Sequence, residues 1–226
     1  MLPDHPRALT VGAITDPSAL HESFSINDCD LIELRLDALW ESPSLRDFCE
    51  RHAGQVPLLL TPRAKEEGGL REWDEVARKK IICDLLPFAS AIDIELANWS
   101  SFAELEPELH ERKIDLVLSS HDFKKFDHVL TVEHLAQAQS LGASIAKVAV
   151  HLEDALDLTL FESLAHDFAN QPVSIMGMGA YGPASRLLAA QHGSRLNYGF
   201  LGAEATAPGQ WPAKLLKEAI AHSPPL

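Results

Sequence analysis

The sequence is poor in cysteine, in basic side chains and in long apolar runs, and each shortage argues against a class of protein. Its three cysteines, Cys29, Cys49 and Cys83, are odd in number and show no CxxC spacing. That argues against a disulfide framework or a cysteine zinc site, and it suits a reducing cytoplasm. No stretch of about 18 apolar residues occurs, so no transmembrane helix is expected. The opening residues, MLPDHPRALT, have no positive flank before an apolar run and do not read as a secretory signal. Lys and Arg number 19 against 33 Asp and Glu, a formal net charge of −14. A diffuse basic face for nucleic acid is therefore not expected. An anionic ligand would need a few cations gathered in one place. Metal readings are weak as well. There is no HExxH and no Cys/His cluster, and His128 and His134 stand six apart on an expected helix, off ligand spacing.

What the chain does contain is a regular alternation. Its 226 residues are 46% hydrophobic and 23% charged, ordinary for a globular domain able to bury a core. Short apolar runs recur at Ala8–Thr15, Leu31–Asp37, Pro57–Arg63, Ala91–Leu96, Asp115–Phe123, Ser144–Val150, Pro172–Met178 and Leu196–Gly202. Helical spacing lies between them. Trp73, Ala77, Ile81 and Leu85 repeat at i+4, as do Leu156, Leu160, Leu164 and Phe168. Ser101 with Glu104 has capping-box spacing, Pro183 suits the first turn of a helix after Gly182, and Trp211–Ala221 reads as a final helix. Eight strand–helix units predict a closed (β/α)8 TIM barrel, with an open doubly wound sheet as the alternative. No Gly/Ser/Pro linker divides the chain, so residues 1–226 read as one domain.

Side chains alternate faces along a strand. In the second strand Ile32, Leu34 and Leu36 oppose Glu33, Arg35 and Asp37. In the third, Leu58 and Leu60 oppose Thr61 and Arg63. In the fourth, Ile92, Ile94 and Leu96 oppose Asp93 and Glu95. His121 shares a face with Val117 and Ser119, and Lys147 shares one with Ile145 and Ala149. The apolar sets must pack under helices, which turns the charged sets inward. A lone charge of this kind would read as a solvated strand face. Burying an ion without a partner costs several kcal/mol, so four acids and three bases, with His121, predict a paired interior network.

Lys147 is the sharpest residue of the set. An inward lysine near other cations has its amine pKa pushed down, and a neutral amine can attack a ketone and form a Schiff base. A structural ion pair with Glu95 or Asp93 is the plainer reading. His121, on the neighbouring strand, could move protons beside the imine carbon, or could be a core histidine. The run Ser174–Arg186 is glycine-rich and enters a helix whose free N–H groups, with Arg186, suit an anion; a simple strand-to-helix turn is the bland alternative. Glu67-Gly68-Gly69 resembles a lid loop, and Ala205–Gln210 would lie at the rim after the eighth strand.

Taken in order, Glu33-Leu34-Arg35-Leu36-Asp37, Thr61-Pro62-Arg63 with Glu67-Gly68-Gly69, Asp93-Ile94-Glu95-Leu96, Ser119-Ser120-His121-Asp122-Phe123, Ala146-Lys147-Val148-Ala149, Met178-Gly179 through Ser185-Arg186, and Ala207-Pro208-Gly209-Gln210 span nearly the whole chain. In these motifs the sequence resembles the type I 3-dehydroquinate dehydratases, Schiff-base enzymes of the shikimate pathway. The resemblance implies a (β/α)8 barrel with no metal and no cofactor, usually a homodimer, acting in the cytoplasm on a small molecule. The implied reaction removes water from 3-dehydroquinate to give 3-dehydroshikimate. It makes Lys147 the imine-forming lysine, His121 the general base and acid, and Glu67 the carboxylate that orients His121. It gives Glu33, Arg35, Arg63, Arg186, Thr206 and Gln210 to the substrate, with Arg186 on its carboxylate. Thr206 stands where serine is usual, and Gly12 stands where a strand-one serine often contacts substrate. The short stretch before Ala8 leaves little room for a hairpin under the barrel and predicts a bare floor. Two other readings remain from the residues themselves: a Schiff-base aldolase acting on a sugar phosphate, and a catalytically silent binding barrel.

Overall fold

The computed structural model describes Leu2, residues 8–169 and 171–202, Ala205 and residues 210–226. Strands form where apolar and β-branched residues alternate with the charged set. They are β1 (Leu9–Ile14), β2 (Leu31–Arg35), β3 (Leu58–Thr61), β4 (Ala91–Glu95), β5 (Asp115–Asp122), β6 (Ile145–His151), β7 (Val173–Met178) and β8 (Leu196–Phe200). All observed pairings are parallel, in the order β7-β6-β5-β4-β3-β2-β1-β8. The last seam is closed by individual bonds. The Arg195 amide donates to the Val173 carbonyl at 2.8 Å, and the Ser174 hydroxyl donates to the Leu196 carbonyl at 2.7 Å. The result is a nearly closed (β/α)8 barrel, as the alternation predicts.

Two apolar layers hold it. Between sheet and helices lie Ile32, Leu34, Leu58, Leu60, Ile92, Ile94, Leu118 and Val148, with Phe48, Phe102 and Phe161 fully buried among them. Inside the barrel, Leu9, Val11, Leu31, Leu59, Ala91, Val117, Ile145 and Leu196 pack below the charged residues. The interior is thus apolar at the N-terminal ends of the strands and polar at the C-terminal ends, where such barrels keep their sites. Among the described residues no helix is long and apolar enough to cross a membrane.

Helix starts depend on aspartates. Asp74, Asp127 and Asp154 accept from backbone amides opening the helices Glu75–Leu85, His128–Ser140 and Ala155–Asp167. Pro183 sits in the first turn of Gly182–Gln191, as expected. The capping box at Ser101 and Glu104 does not form. Ser101 lies inside the helical turn Trp99–Phe102, where its backbone is already helical and cannot serve as an N-cap. The final helix starts at Ala213 and not at Trp211.

Two expectations at the N-terminal end change. The floor is not bare: Leu2 packs into the interior cluster, and its amide donates to the Asp115 carboxylate at the foot of β5. Gly12 does not face the interior. A Cβ there would point at Leu201 Cδ1, 2.5 Å away, and Cys29 Sγ, so the residue beside Glu33 in register is Ala13. Gly199 is held tighter still. A Cβ on it would fall 2.5 Å from Ala213 Cα and 2.9 Å from the Trp211 carbonyl oxygen, both backbone. Gly199→Ala should therefore shift the last helix off β8 and cost about 1–3 kcal/mol. A lower urea midpoint with an unchanged m-value would show it, and an unchanged midpoint would refute the contact.

Candidate active site

The site is built on buried charge. Asp93 and Glu95 on β4 are fully buried, and Arg63, just past β3, reaches both. Arg63 Nη2 donates to Asp93 Oδ1 at 2.8 Å, and its Nη1 donates to Glu95 Oε1 at 3.1 Å and to Ser119 Oγ at 2.7 Å. The other Asp93 oxygen accepts from Lys147 Nζ at 2.7 Å. Thr61 Oγ1 donates to Glu33 at 2.8 Å. The structural ion pair expected for Lys147 therefore exists, and its partner is Asp93. Burial alone would raise the Asp93 carboxyl; Arg63 and Lys147 outweigh that and hold it below the usual carboxylate range. At Lys147 the balance goes the other way. Burial lowers the amine, Asp93 and Glu33 push it up, Arg63 lowers it again, and the net shift is downward.

His121, at the open end of β5, is fixed from two sides by one oxygen. Glu67 Oε2 accepts from the His121 backbone amide at 3.0 Å and contacts Nδ1 at 2.9 Å. Burial, then the Arg63 and Lys147 charges, keep the imidazole well below its ordinary value. Burial raises the Glu67 carboxyl to about 7, against the pull of Arg63. An ionised Glu67 accepts a hydrogen bond from Nδ1–H, which holds that tautomer and leaves Nε2 as a base. Glu67 can reach because Lys65–Glu67 is a short 3-10 turn ended by Gly68 at φ +88. Gly68 is required twice over: its φ is left-handed, and a Cβ would meet the Phe123 ring at 2.5 Å.

Asp37 departs from its expected place. The chain turns into the helical segment Leu36–Leu39 straight after Arg35, so Asp37 leaves the strand alternation and lies buried at the rim. It takes a bidentate bond from Arg35, 2.8 Å on each side, and accepts from the Leu70 amide at 2.9 Å. Arg35 Nη2 also donates to the Gly68 carbonyl at 3.0 Å. The pair ties down the chain just after Glu67 at two points, Gly68 and Leu70.

Arg186 is buried in the second turn of the helix Gly182–Gln191. Its Nη1 donates to the Tyr198 carbonyl at 2.8 Å, and its Nε has no partner among the described residues. Burial lowers its pKa to about 10, and the group remains a cation at neutral pH. Glu33, Arg35, Arg63, Glu67, His121, Lys147, Arg186 and Gln210 line one cleft of about 640 Å³, open to solvent. Thr206, with Ala207, Pro208 and Gly209, lies outside the described residues. Two residues escaped the sequence reading. Arg78 comes in from a helix, donating to the Pro62 carbonyl at 2.8 Å and to Glu95. Tyr198 on β8 lies with its ring centroid 4.0 Å from Lys147 Nζ. An arginine on the apolar stripe with Ile82 and Leu85, and the inward alternation of Leu196 and Tyr198, were the available signals.

A lysine amine with a lowered pKa, a neutral imidazole and a buried guanidinium meet at the C-terminal mouth of a parallel barrel, an arrangement of the acid–base enzyme class. Comparison with known proteins narrows this. The model of the type I 3-dehydroquinase family matches residues 8–223. The 3-dehydroquinate dehydratase of Enterococcus faecalis is 34% identical over 204 residues, covering 84% of this chain and 80% of that one. The catabolic 3-dehydroquinate dehydratase of Acinetobacter baylyi is 31% identical, covering 84% and 75%. The crystal structure of the Aquifex aeolicus 3-dehydroquinate dehydratase superposes with a TM-score of 0.80 at 27% identity, covering 93% of this chain and 96% of that one. The chain belongs to the type I 3-dehydroquinase family.

Because Asp37 holds the Glu67 turn, Asp37→Ala should speed hydrogen exchange at the Leu70 amide while the fold persists. Activity should fall by up to roughly 100-fold as His121 loses its orientation. Unchanged exchange at Leu70 would show that the latch is not needed.

Proposed function

We propose that this chain removes water from 3-dehydroquinate to give 3-dehydroshikimate, as a hydro-lyase of the shikimate pathway, through a Schiff base on Lys147. The observation that carries the reading is one cleft lined by Lys147, His121 and Arg186 together. Arg186, bonded to a carbonyl and left with an unpartnered Nε among the described residues, suits the substrate carboxylate. Glu33, Arg35 and Gln210 line the same cleft and suit the ring hydroxyls; Thr206 is assigned with them on the family motif. Arg63 is already bonded to Asp93, Glu95 and Ser119, so its contribution runs through Lys147's surroundings.

The chemistry follows from these groups. Lys147 attacks the ring ketone in its deprotonated form, which its lowered pKa makes easier to reach; a C–N bond forms, and the oxygen departs as water to leave an iminium. The iminium draws electrons from the adjacent carbon, and His121 Nε2 removes a proton there, giving an enamine. The enamine expels the hydroxyl on the next carbon, which leaves as water with the proton returned by His121. Hydrolysis then frees Lys147. Homodimer formation and a cytoplasmic setting belong to the same reading. Among the described residues nothing in the cleft favours the aldolase alternative, and intact Lys147 and His121 oppose a silent barrel.

Incubation with 3-dehydroquinate should produce enone absorbance with the wild type and none measurable with Lys147→Ala. His121→Ala should still be trapped as an imine by borohydride, yet turn over roughly 10²–10⁴-fold more slowly. A wild type that yields no enone would sink the proposal. The pH profile gives a separate check. Nδ1 needs an ionised acceptor, and Glu67 loses its proton only near 7, above the ordinary 4.5. Activity should rise with pH through about 7 as the Glu67–His121 pair reaches its working state. Glu67→Gln should lower the plateau and remove that limb; a limb that stays in place would assign it to another group.

A further inference from the structure

We propose that Tyr198 is a further catalytic residue of this reaction, its phenol hydroxyl donating a hydrogen bond to the substrate's ketone oxygen while Lys147 attacks the ketone carbon. The proposal rests on the reading of Lys147 as the imine-forming residue.

Two independent features of the structure carry it. The first is position. Tyr198 faces inward from β8, in register with Val11 across the β1–β8 ladder, and lines the same cleft as Lys147, His121 and Arg186. Its ring centroid stands 4.0 Å from Lys147 Nζ, so the amine is held between the ring on one side and the Asp93 carboxylate on the other. Its backbone carbonyl accepts from Arg186 Nη1 at 2.8 Å. One residue therefore touches the nucleophile and holds the guanidinium assigned to the substrate carboxylate.

The second feature is the hydroxyl. Tyr198 is 5% exposed, and its Oη is buried without a hydrogen-bond partner among the described residues. A buried phenol without a partner costs stability, and a phenylalanine would pack the same ring against Nζ at no such cost. A tyrosine kept in that state is suited to a partner that arrives from outside the protein. The oxygen of a carbonyl whose carbon is joining Nζ comes close to the ring that carries Oη. Burial, then the Glu33 and Asp93 carboxylates, raise the phenol well above its ordinary pKa, so it keeps its proton and acts as a donor.

The step balances without moving the phenol proton. Nζ supplies the electron pair of the new C–N bond, and the carbonyl π pair moves onto oxygen, where the Tyr198 hydrogen bond stabilises the developing charge. A proton passes from the attacking nitrogen to that oxygen. The nitrogen lone pair then expels the hydroxyl, which leaves as water with one proton from solvent, and the iminium remains.

Tyr198→Phe tests this, because it removes the hydroxyl and leaves the ring. With 3-dehydroquinate, rapid-quench borohydride trapping should show imine forming at least about tenfold more slowly than in the wild type, with kcat/KM reduced alongside. The melting temperature should stay level or rise, since an unpartnered buried hydroxyl is lost. Trapping at the wild-type rate, normalised to the folded fraction by circular dichroism, would overturn the proposal even if the variant melts earlier. Absence of imine in the wild type itself would overturn the Lys147 reading and this one together, which separates the two failures.

Discussion

Asp93 accepts from two cations at once, Arg63 on one carboxylate oxygen and Lys147 on the other. Both cations and the acid are buried in the middle of the barrel. An ion in such a place costs several kcal/mol unless its partners are close and well aligned, and removing one partner strands the others. The surrounding arrangement reads as a consequence. Glu95 takes the second Arg63 nitrogen and also the Ala64 amide and Arg78, which brings a helix residue into the sheet's interior. Ser119 bridges Arg63 and Asp93 from β5. Each added bond offsets part of the cost of burying charge, and each ties another strand into a fixed position around Lys147.

The same network sets the acid–base behaviour of its neighbours by opposite routes. Lys147 loses proton affinity to burial more than Asp93 restores it. His121 loses it to burial and to the two cations beside it, so it stays neutral where an exposed histidine would begin to charge. Glu67 is pushed up by burial and by the same acids that hold the cations. His121 is thereby kept unprotonated while the Glu67 carboxyl is raised to about 7, and Asp93 stays ionised throughout.

The barrel and most of the site were legible because strands have a period of two. Glu33, Asp93, Glu95, Ser119 and Lys147 alternate with residues that pack under helices, and the structure turns them inward as that alternation requires. The reading failed where the period changes. Asp37 follows Arg35 into a helical turn, so counting by twos carried it into an interior it does not reach. Gly12 has no side chain to reveal its face, and only the contact with Leu201 shows that it points outward. Arg78 arrives from a helix, where a period of 3.6 sets the buried stripe. Tyr198 did alternate correctly with Leu196, but an inward aromatic reads as core until its hydroxyl is found without a partner.

The chain's net charge of −14 bears on the ligand only through this geometry. Arg35 is engaged by Asp37, Arg63 by Asp93 and Glu95, and Lys147 by Asp93. Arg186 differs from them in having no carboxylate among its hydrogen-bond and ion-pair partners in the described residues. A fully balanced interior would have no attraction for a carboxylate, and a diffuse positive surface would attract every anion alike. One buried guanidinium without an acidic partner, a short distance from a compensated lysine, favours a single anionic group in a single orientation. The acidic surroundings then work against anions that cannot reach it, so the global charge sharpens the selectivity of the local one.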